Sequence, residues 1–539
     1  MQRRLQRRNR APRRRGRCVV FGYHYVHVRD RVLHRALRPD HPVIFGRADG
    51  RGQHPRSVDH QPGNDVGRVC PQPAVGGRGH WPDLRPARAG GVRARFCQPD
   101  RLRLPPRHRG RVRLVEGAAH RGAPGRGTWW LTVRALLLTT FYPPRWGISE
   151  CICTAKLAKA LVARGIELTA VTSNFDPAHM SRDDSGYWSE GMGRVIRLEP
   201  PTPALFRRAV TLYGRARALD AQVTWLWRSA YARARELLAS EPFDFFFTRC
   251  EPFEMTHVGW RLRRATGVRW VACFSDPYPV FLYPPPYRTG KPENLYHRMQ
   301  LRLLRRILRD ADRVIYPNQR MTAYMKRVLG GDIAGKIAAV PHVGWNEAPQ
   351  PPPADGTVEI LHAGIISSPR LATRLFESVA ESARSLPGLR ERLRLCFLGQ
   401  NDAGLSRFIE REKLGGLLRA EGQVSVEESL KRMQRASALL LMEAQLEEGI
   451  FLPSKFCDYA VSGKPLLIFS PERGVVSDLV GGRSHPGFLG QTEEGYRERV
   501  AEFLAALAAG DDLAAWKYPR PKEFSPEAVA EKFLDEALA

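Results

Sequence analysis

The first 155 residues of this 539-residue chain contain no lysine, and the first 115 contain no glutamate either. Arginine carries that stretch. Residues 1–130 hold 30 arginines against seven aspartates and one glutamate, with 9 of the 15 histidines, 13 prolines and 17 glycines. Such text buries too little apolar surface to offset the entropy of ordering. "MQRRLQRRNRAPRRRGR" is similar to a basic nucleic-acid arm or to the start of a transit peptide. Arg-rich, Lys-free, Pro/Gly/His-rich text is also what an out-of-frame reading of GC-rich DNA gives, with the natural start near Val133. That reading is preferred over a genuine basic tail and over a folded domain. Residues 131–539 are close to balanced, with 55 basic and 47 acidic side chains. The overall +30 therefore does not mark a nucleic-acid protein, and no nucleic-acid partner is expected.

Other absences narrow the field further. No C-x-x-C pair occurs, and Cys151-Ile-Cys153 has the wrong spacing for common zinc sites, so no structural zinc is expected. No run of 18 apolar residues occurs, which excludes a helical membrane span. No secretory signal pattern starts at residue 1 or at residue 133. The G-x-G-x-x-G dinucleotide fingerprint is missing as well. The expected location is the cytoplasm, with the cytosolic face of a membrane as its alternative.

From residue 133 onward, strands and helices alternate. "VRALLLTTF" reads as a buried strand, "ISECICTAKLAKALVARG" as a helix closed by Gly165, and "IELTAVTS" as a second strand. The pattern repeats through "FDFFFTRC", "TGVRWVACFSD", "LYHRMQLRLLRRILRDA", "DRVIYPN" and "IAAVPHVGW". It pauses at "NEAPQPPPADG" and resumes with "VEILHAG", "LRLCFLG", "ALLLMEA" and "KPLLIFS". Two doubly wound α/β domains follow from this. The expected divisions are an extension over 1–132 that is disordered or precedes the natural start, a first Rossmann-like domain over 133–345, a linker over 346–356, a second Rossmann-like domain over 357–520 and a terminal helix over 521–539.

Ligands of such sheets bind beyond the strands' carboxyl ends, so residues just after strands are the candidates. "GIFLPSKFCDYAVSGKP" is the most informative stretch. Pro453 suits the first turn of a helix, and the free amides at Ser454 and beyond form an anion site. Lys455 adds a positive charge, and Asp458 lies one turn along. Gly364 and Gly399 permit close backbone approach, Arg370 is a candidate diphosphate contact, and Glu472 follows the last clear strand. In the first half, Gly147 precedes a helix, and Asp276 in "CFSDPYP" ends a strand facing the cleft. Each of these also has a plain reading as a turn, a cap or a solvated charge. The helices "FRRAVTLYGRARAL" and "YHRMQLRLLRRILRD" mix Arg with apolar residues. They suit either a solvated basic face or contact with anionic membrane.

"LPSKFCDYAVSGKPLLIF" resembles the Pro-Ser-Lys, acid-Tyr, Gly-Lys-Pro stretch of the family 4 glycosyltransferases. "LLLTTFYPPRWGISE", "CFSDPYP", "DADRVIYPN" and "AAVPHVGWNE" are similar to other segments of that family, in a subgroup with an Asp-Pro-aromatic motif. The resemblance covers about 133–539. It implies the GT-B fold, with two Rossmann-like domains facing a central cleft, the first serving the acceptor, the second the nucleotide sugar, and the helix over 521–539 packing back on the N-terminal domain. It also implies sugar transfer with retention from a nucleotide-diphosphate sugar to a glycan or lipid-linked acceptor, in polysaccharide or glycolipid assembly. No cofactor or metal is implied beyond the donor substrate. The family's ribose-binding acid falls on Asp458, where most members have Glu. Its partner acid, eight positions earlier, falls on Ile450. Glu447 and Glu448 are near but out of register, and Glu448 is taken as the substitute beside Asp276. A nucleotide-sugar epimerase and a non-catalytic binding protein of the same fold are the alternatives.

Overall fold

The computed structural model describes residues 133–146, 149–174, 181–182, 185–199, 209, 212, 226–250, 253–346, 350, 353, 355–366, 370–386, 388–400, 403–492 and 495–539. The Arg-rich extension and Gly147 lie outside them, and so does the helix expected over "FRRAVTLYGRARAL" apart from isolated positions.

In chain order the first series runs β1 (Arg134–Leu138), β2 (Arg145–Trp146), α1 (Ser149–Ala163), β3 (Glu167–Ser173), β4 (Ser181–Arg182), β5 (Arg194–Leu198) and α2 (Leu226–Ser240). It continues with β6 (Phe245–Arg249), α3 (Glu254–Thr266), β7 (Arg269–Cys273), α4 (Leu295–Leu308), β8 (Arg313–Tyr316), α5 (Gln319–Leu329), the short α6 (Gly331–Ala334) and β9 (Ile337–Ala339). Seven of these strands form a parallel sheet in the order β5-β3-β1-β6-β7-β8-β9, while β2 and β4 pair separately. Phe245, Phe246 and Phe247 of β6 are buried on both faces, which is why this strand reads as a continuous apolar run. Gly165, at φ +83, turns the chain from α1 into β3.

The second series is β10 (Val358–Ala363), α7 (Thr373–Ser385), the short α8 (Leu389–Arg392), β11 (Leu393–Leu398), α9 (Ala403–Arg411), β12 (Leu418–Gly422), α10 (Val426–Arg435) and β13 (Ala438–Met442). After these come α11 (Ser454–Ser462), β14 (Leu466–Ser470), α12 (Val475–Val480), β15 (Phe488–Gly490), α13 (Tyr496–Ala509) and α14 (Pro526–Leu538). Its parallel sheet has the order β12-β11-β10-β13-β14-β15. Both sheets start in the middle, grow to one side, then return past the first strand. That is the doubly wound order, with a switch point between β1 and β6 and another between β10 and β13.

Helix α14 is capped by Ser525, whose side chain accepts from the Ala528 N–H. It lies on the first half of the fold. Phe533 contacts the rings of Phe245 and Phe247, Glu531 pairs with Arg164, and Glu536 pairs with Arg313. The last helix thus ties the two halves together by burying Val529, Ala530 and Phe533.

Candidate functional site

Strand β10 delivers His362 and Ala363, then Gly364 at φ +150, whose N–H donates to the Leu398 carbonyl at 2.6 Å. A Cβ on Gly364 would fall on the Lys455 ammonium. Gly399, at φ +139 beyond β11, packs its backbone on Gly364, and a Cβ there would meet the Gly364 carbonyl. Two glycines at successive strand ends therefore let two loops and one lysine side chain occupy the same small space, which only glycine allows at these φ values.

Lys455 is the second residue of α11, and its Nζ stands 3.2 Å from His362 Nε2. His362 is fully buried, and its Nδ1 is 2.9 Å from the Leu440 carbonyl. With Nδ1–H donated there, Nε2 offers its lone pair to the lysine. Burial, then the neighbouring ammonium, hold His362 well below its ordinary value, so the ring is neutral. Burial, then Arg370, push Lys455 well below the usual amine range. Pro453 is the N-cap of α11 rather than a first-turn residue, and it makes no side-chain cap. The helix accordingly begins at Ser454.

Two carboxyls lie within electrostatic reach of Arg370, which donates to the Ile365 carbonyl at 3.4 Å. Asp276, just past β7, is half-buried and accepts from Tyr283 Oη at 2.8 Å. Burial raises it to about 6 against the pull of Tyr283, with Glu150 adding to the rise. Glu443, just past β13, is buried and accepts from Ser470 Oγ at 2.5 Å. Burial raises it to about 7, with Ser470 and Arg370 opposing. Asp276 belongs to the first half and Glu443 to the second, so Arg370 stands where the two halves face each other. Beneath Asp276, the buried Glu150 and Arg249 are 2.8 Å apart, and Arg249 donates to Thr154 and Ser275.

Four acids named from the sequence are engaged by other protein groups. Asp458 is buried, with Oδ1 at 2.5 Å from Lys156 Nζ and 2.8 Å from the Trp345 N–H. It joins α11 to α1 and to the segment after β9, where a free ribose-facing carboxylate was expected. Burial raises its carboxyl while Lys156 opposes the rise. Glu448, expected beside the reacting sugar, sits 2.6 Å from Arg320, which also holds Asp478. Glu447 is exposed and pairs with Arg473 at 2.9 Å. Glu472 accepts from the Thr492 N–H at 3.1 Å, which braces the turn after β15.

Gly364, Gly399, Ser454, Lys455, Arg370 and Asp276 fall at strand ends or the helix entrance around this cleft. The sequence reading missed His362, Glu443 and Lys156. Glu443 carried a usable signal, because the acid in "LLLMEA" directly follows a buried strand. His362 and Lys156 carried none, since each sits among apolar neighbours and is used by residues distant in the chain. Among the described residues, no group of three or more His, Cys, Asp or Glu side chains is placed to hold a metal ion.

Residues 152–342 match the family model described as a glycosyl transferase 4-like domain. No curated protein matches the chain. Among solved structures, the chain is similar to HepE of Anabaena, whose structure is a complex with UDP-glucose. The TM-score is 0.50 at 14% identity, covering 75% of this chain and 98% of that one. It is likewise similar to TarM of S. aureus, with TM-score 0.50 at 10% identity over 76% of this chain and 99% of the other. Identities this low speak for the fold. The chain is therefore an α/β protein of GT-B fold that carries a glycosyl transferase 4-like domain over residues 152–342.

Proposed function

We propose that this protein is a retaining glycosyltransferase that moves a sugar from a nucleotide-diphosphate donor to a glycan or lipid-linked acceptor, in polysaccharide or glycolipid assembly. The observation that carries the reading is the cationic corner made by Gly364, Lys455 on its neutral His362, and Arg370. It lies at the carboxyl end of β10, where a doubly wound sheet takes its ligand. In this reading residues 133–345 serve the acceptor and 357–520 the donor. The diphosphate rests on Gly364, the Ser454 amide, Lys455 and Arg370, with Gly399 keeping the loop close. Glu472 holds the far wall through Thr492.

Catalysis is then positional and electrostatic. As the bond from the anomeric carbon to the diphosphate oxygen breaks, Lys455 and Arg370 stabilise the growing negative charge. The acceptor oxygen bonds to the same face of that carbon. Its proton passes to the departing diphosphate, and Asp276 orients the hydroxyl by accepting its hydrogen bond. Lys156 and Trp345 occupy Asp458, so its role is structural, and Glu443 takes the place among the donor-side acids for which Glu448 was the out-of-register substitute. HepE and TarM structures contain UDP-glucose and UDP respectively, and this likeness suggests the nucleotide to try first. The test is a thermal-shift panel of UDP-, GDP-, ADP- and TDP-sugars. Stabilisation by at least one is expected; none stabilising would remove the donor assignment. Turnover without any acceptor would point instead to an epimerase.

A further inference from the structure

The described residues contain seven large apolar side chains that are strongly exposed, and four of them lie within twenty positions of one another: Val280, Leu295, Tyr296 and Met299. They are also neighbours in space. The turn Val280–Leu282 packs on the first turn of α4 through Phe281 and His297, whose rings stack at 4.4 Å. Leu295 is 68% exposed, the turn's Val280 39% and Met299 43%.

The rest of the same helix supplies charge of one sign. Helix α4 holds four arginines and no Asp or Glu. Its inner face is anchored by the buried Leu301, Leu304, Ile307 and Leu308. Leu295, Met299, Arg302 and Arg306 are all exposed and spaced to form one stripe along the outer face. The stripe is apolar at the helix entrance and basic beyond it. An apolar tip on a basic flank is the layout that inserts shallowly into a bilayer while pairing with acidic headgroups.

We infer that the outer face of α4, together with the turn at Val280, docks this protein on an anionic lipid surface. The placement gives the docking a purpose. Tyr283, next to that turn, holds Asp276 by a 2.8 Å hydrogen bond, so the patch borders the acceptor side of the cleft. On the glycosyltransferase reading, this selects a lipid-linked acceptor that stays in the membrane over a soluble glycan.

The test uses the full chain and vesicles of phosphatidylcholine with and without phosphatidylglycerol, and measures flotation in the absence of any sugar substrate. Wild type is expected to float with the anionic vesicles and only weakly with the neutral ones. Leu295→Glu/Met299→Glu should lower the partition roughly ten-fold, and Arg302→Glu/Arg306→Glu should weaken the preference for anionic lipid, of which the Arg-rich extension keeps the same share in every protein compared. All four residues are exposed, Arg306 also lying over the Trp260 ring at 5.4 Å, and circular dichroism checks that the variants keep the fold. Equal flotation of wild type and both variants would overturn the inference, as would a loss of self-association in place of flotation, which marks a contact between copies. Because no donor is present, failure here leaves the donor-site reading standing, and failure of donor binding leaves this result unaffected.

Discussion

Lys455 is the residue on which the proposed donor site turns, and its environment sets a definite pH signature. Burial and Arg370 hold the free ammonium well below the ordinary amine range. A bound diphosphate brings negative charge and restores its proton affinity. Where free Lys455 has lost its proton, nucleotide binding must take one up. Calorimetry at mildly alkaline pH in two buffers of different ionisation enthalpy should show net proton uptake, and Lys455→Ala should abolish it. Glu443 behaves in the opposite sense. Its folded carboxyl is raised to about 7 from an ordinary 4.5, so the folded state binds more protons than the unfolded one between those values. Its contribution to stability is present at low pH and is lost as pH rises through that window. Glu443→Gln keeps an acceptor for Ser470. It should therefore be more stable than wild type by ~1–3 kcal/mol above pH 7, with little difference at pH 4, as read by urea melts across pH.

At the scale of elements, α11 does two jobs with one turn of helix. Its entrance presents Lys455 to the cleft, and Asp458, three residues on, grips Lys156 on α1. Both partners are nearly sealed from water, at 2% and 8% side-chain exposure. Removing one partner of such a pair leaves a buried charge alone. Asp458→Ala should cost ~3–5 kcal/mol in urea denaturation, whereas Lys156→Met/Asp458→Leu should recover most of it. If Asp458 instead held a ribose in the free protein's geometry, its loss would weaken nucleotide affinity while leaving stability nearly unchanged. The glycine corner is the second element-scale device. Gly399→Ala drives a methyl into the Gly364 carbonyl, and it should lower both stability and nucleotide affinity, by about 1–3 kcal/mol for stability. Local sequence exposed these elements well. "LLLMEA" and "FDFFFTRC" are strands because they are apolar on both faces. Ser525 announces α14, and the Gly-rich strand ends announce turns. It could not expose the grip of Lys156 on Asp458, 302 positions apart. Nor could it show that Arg320 would take Glu448, because both depend on how the two halves meet.

For the whole molecule, the doubly wound plan was legible from the alternation of buried runs and amphipathic helices, with "NEAPQPPPADG" marking the break between sheets. The charge of the chain was legible too. The Arg-rich extension separates cleanly from the nearly balanced remainder, and the basic face of α4 stays visible within that remainder. The candidate site was legible only where its residues follow strands or open a helix. His362 and Glu443 owe their shifted protonation to burial, which one sequence does not display. The central claim is that the corner of Gly364, Lys455 and Arg370 receives a nucleotide diphosphate. Titration calorimetry of UDP, GDP, ADP and TDP into the full chain and into Lys455→Ala tests it most directly. Saturable binding of at least one nucleotide by the wild type, weakened roughly ten-fold or more in the variant for the free nucleotide and its sugar conjugate alike, is the expected result. Binding by none of the four, or equal binding by both proteins, would contradict it.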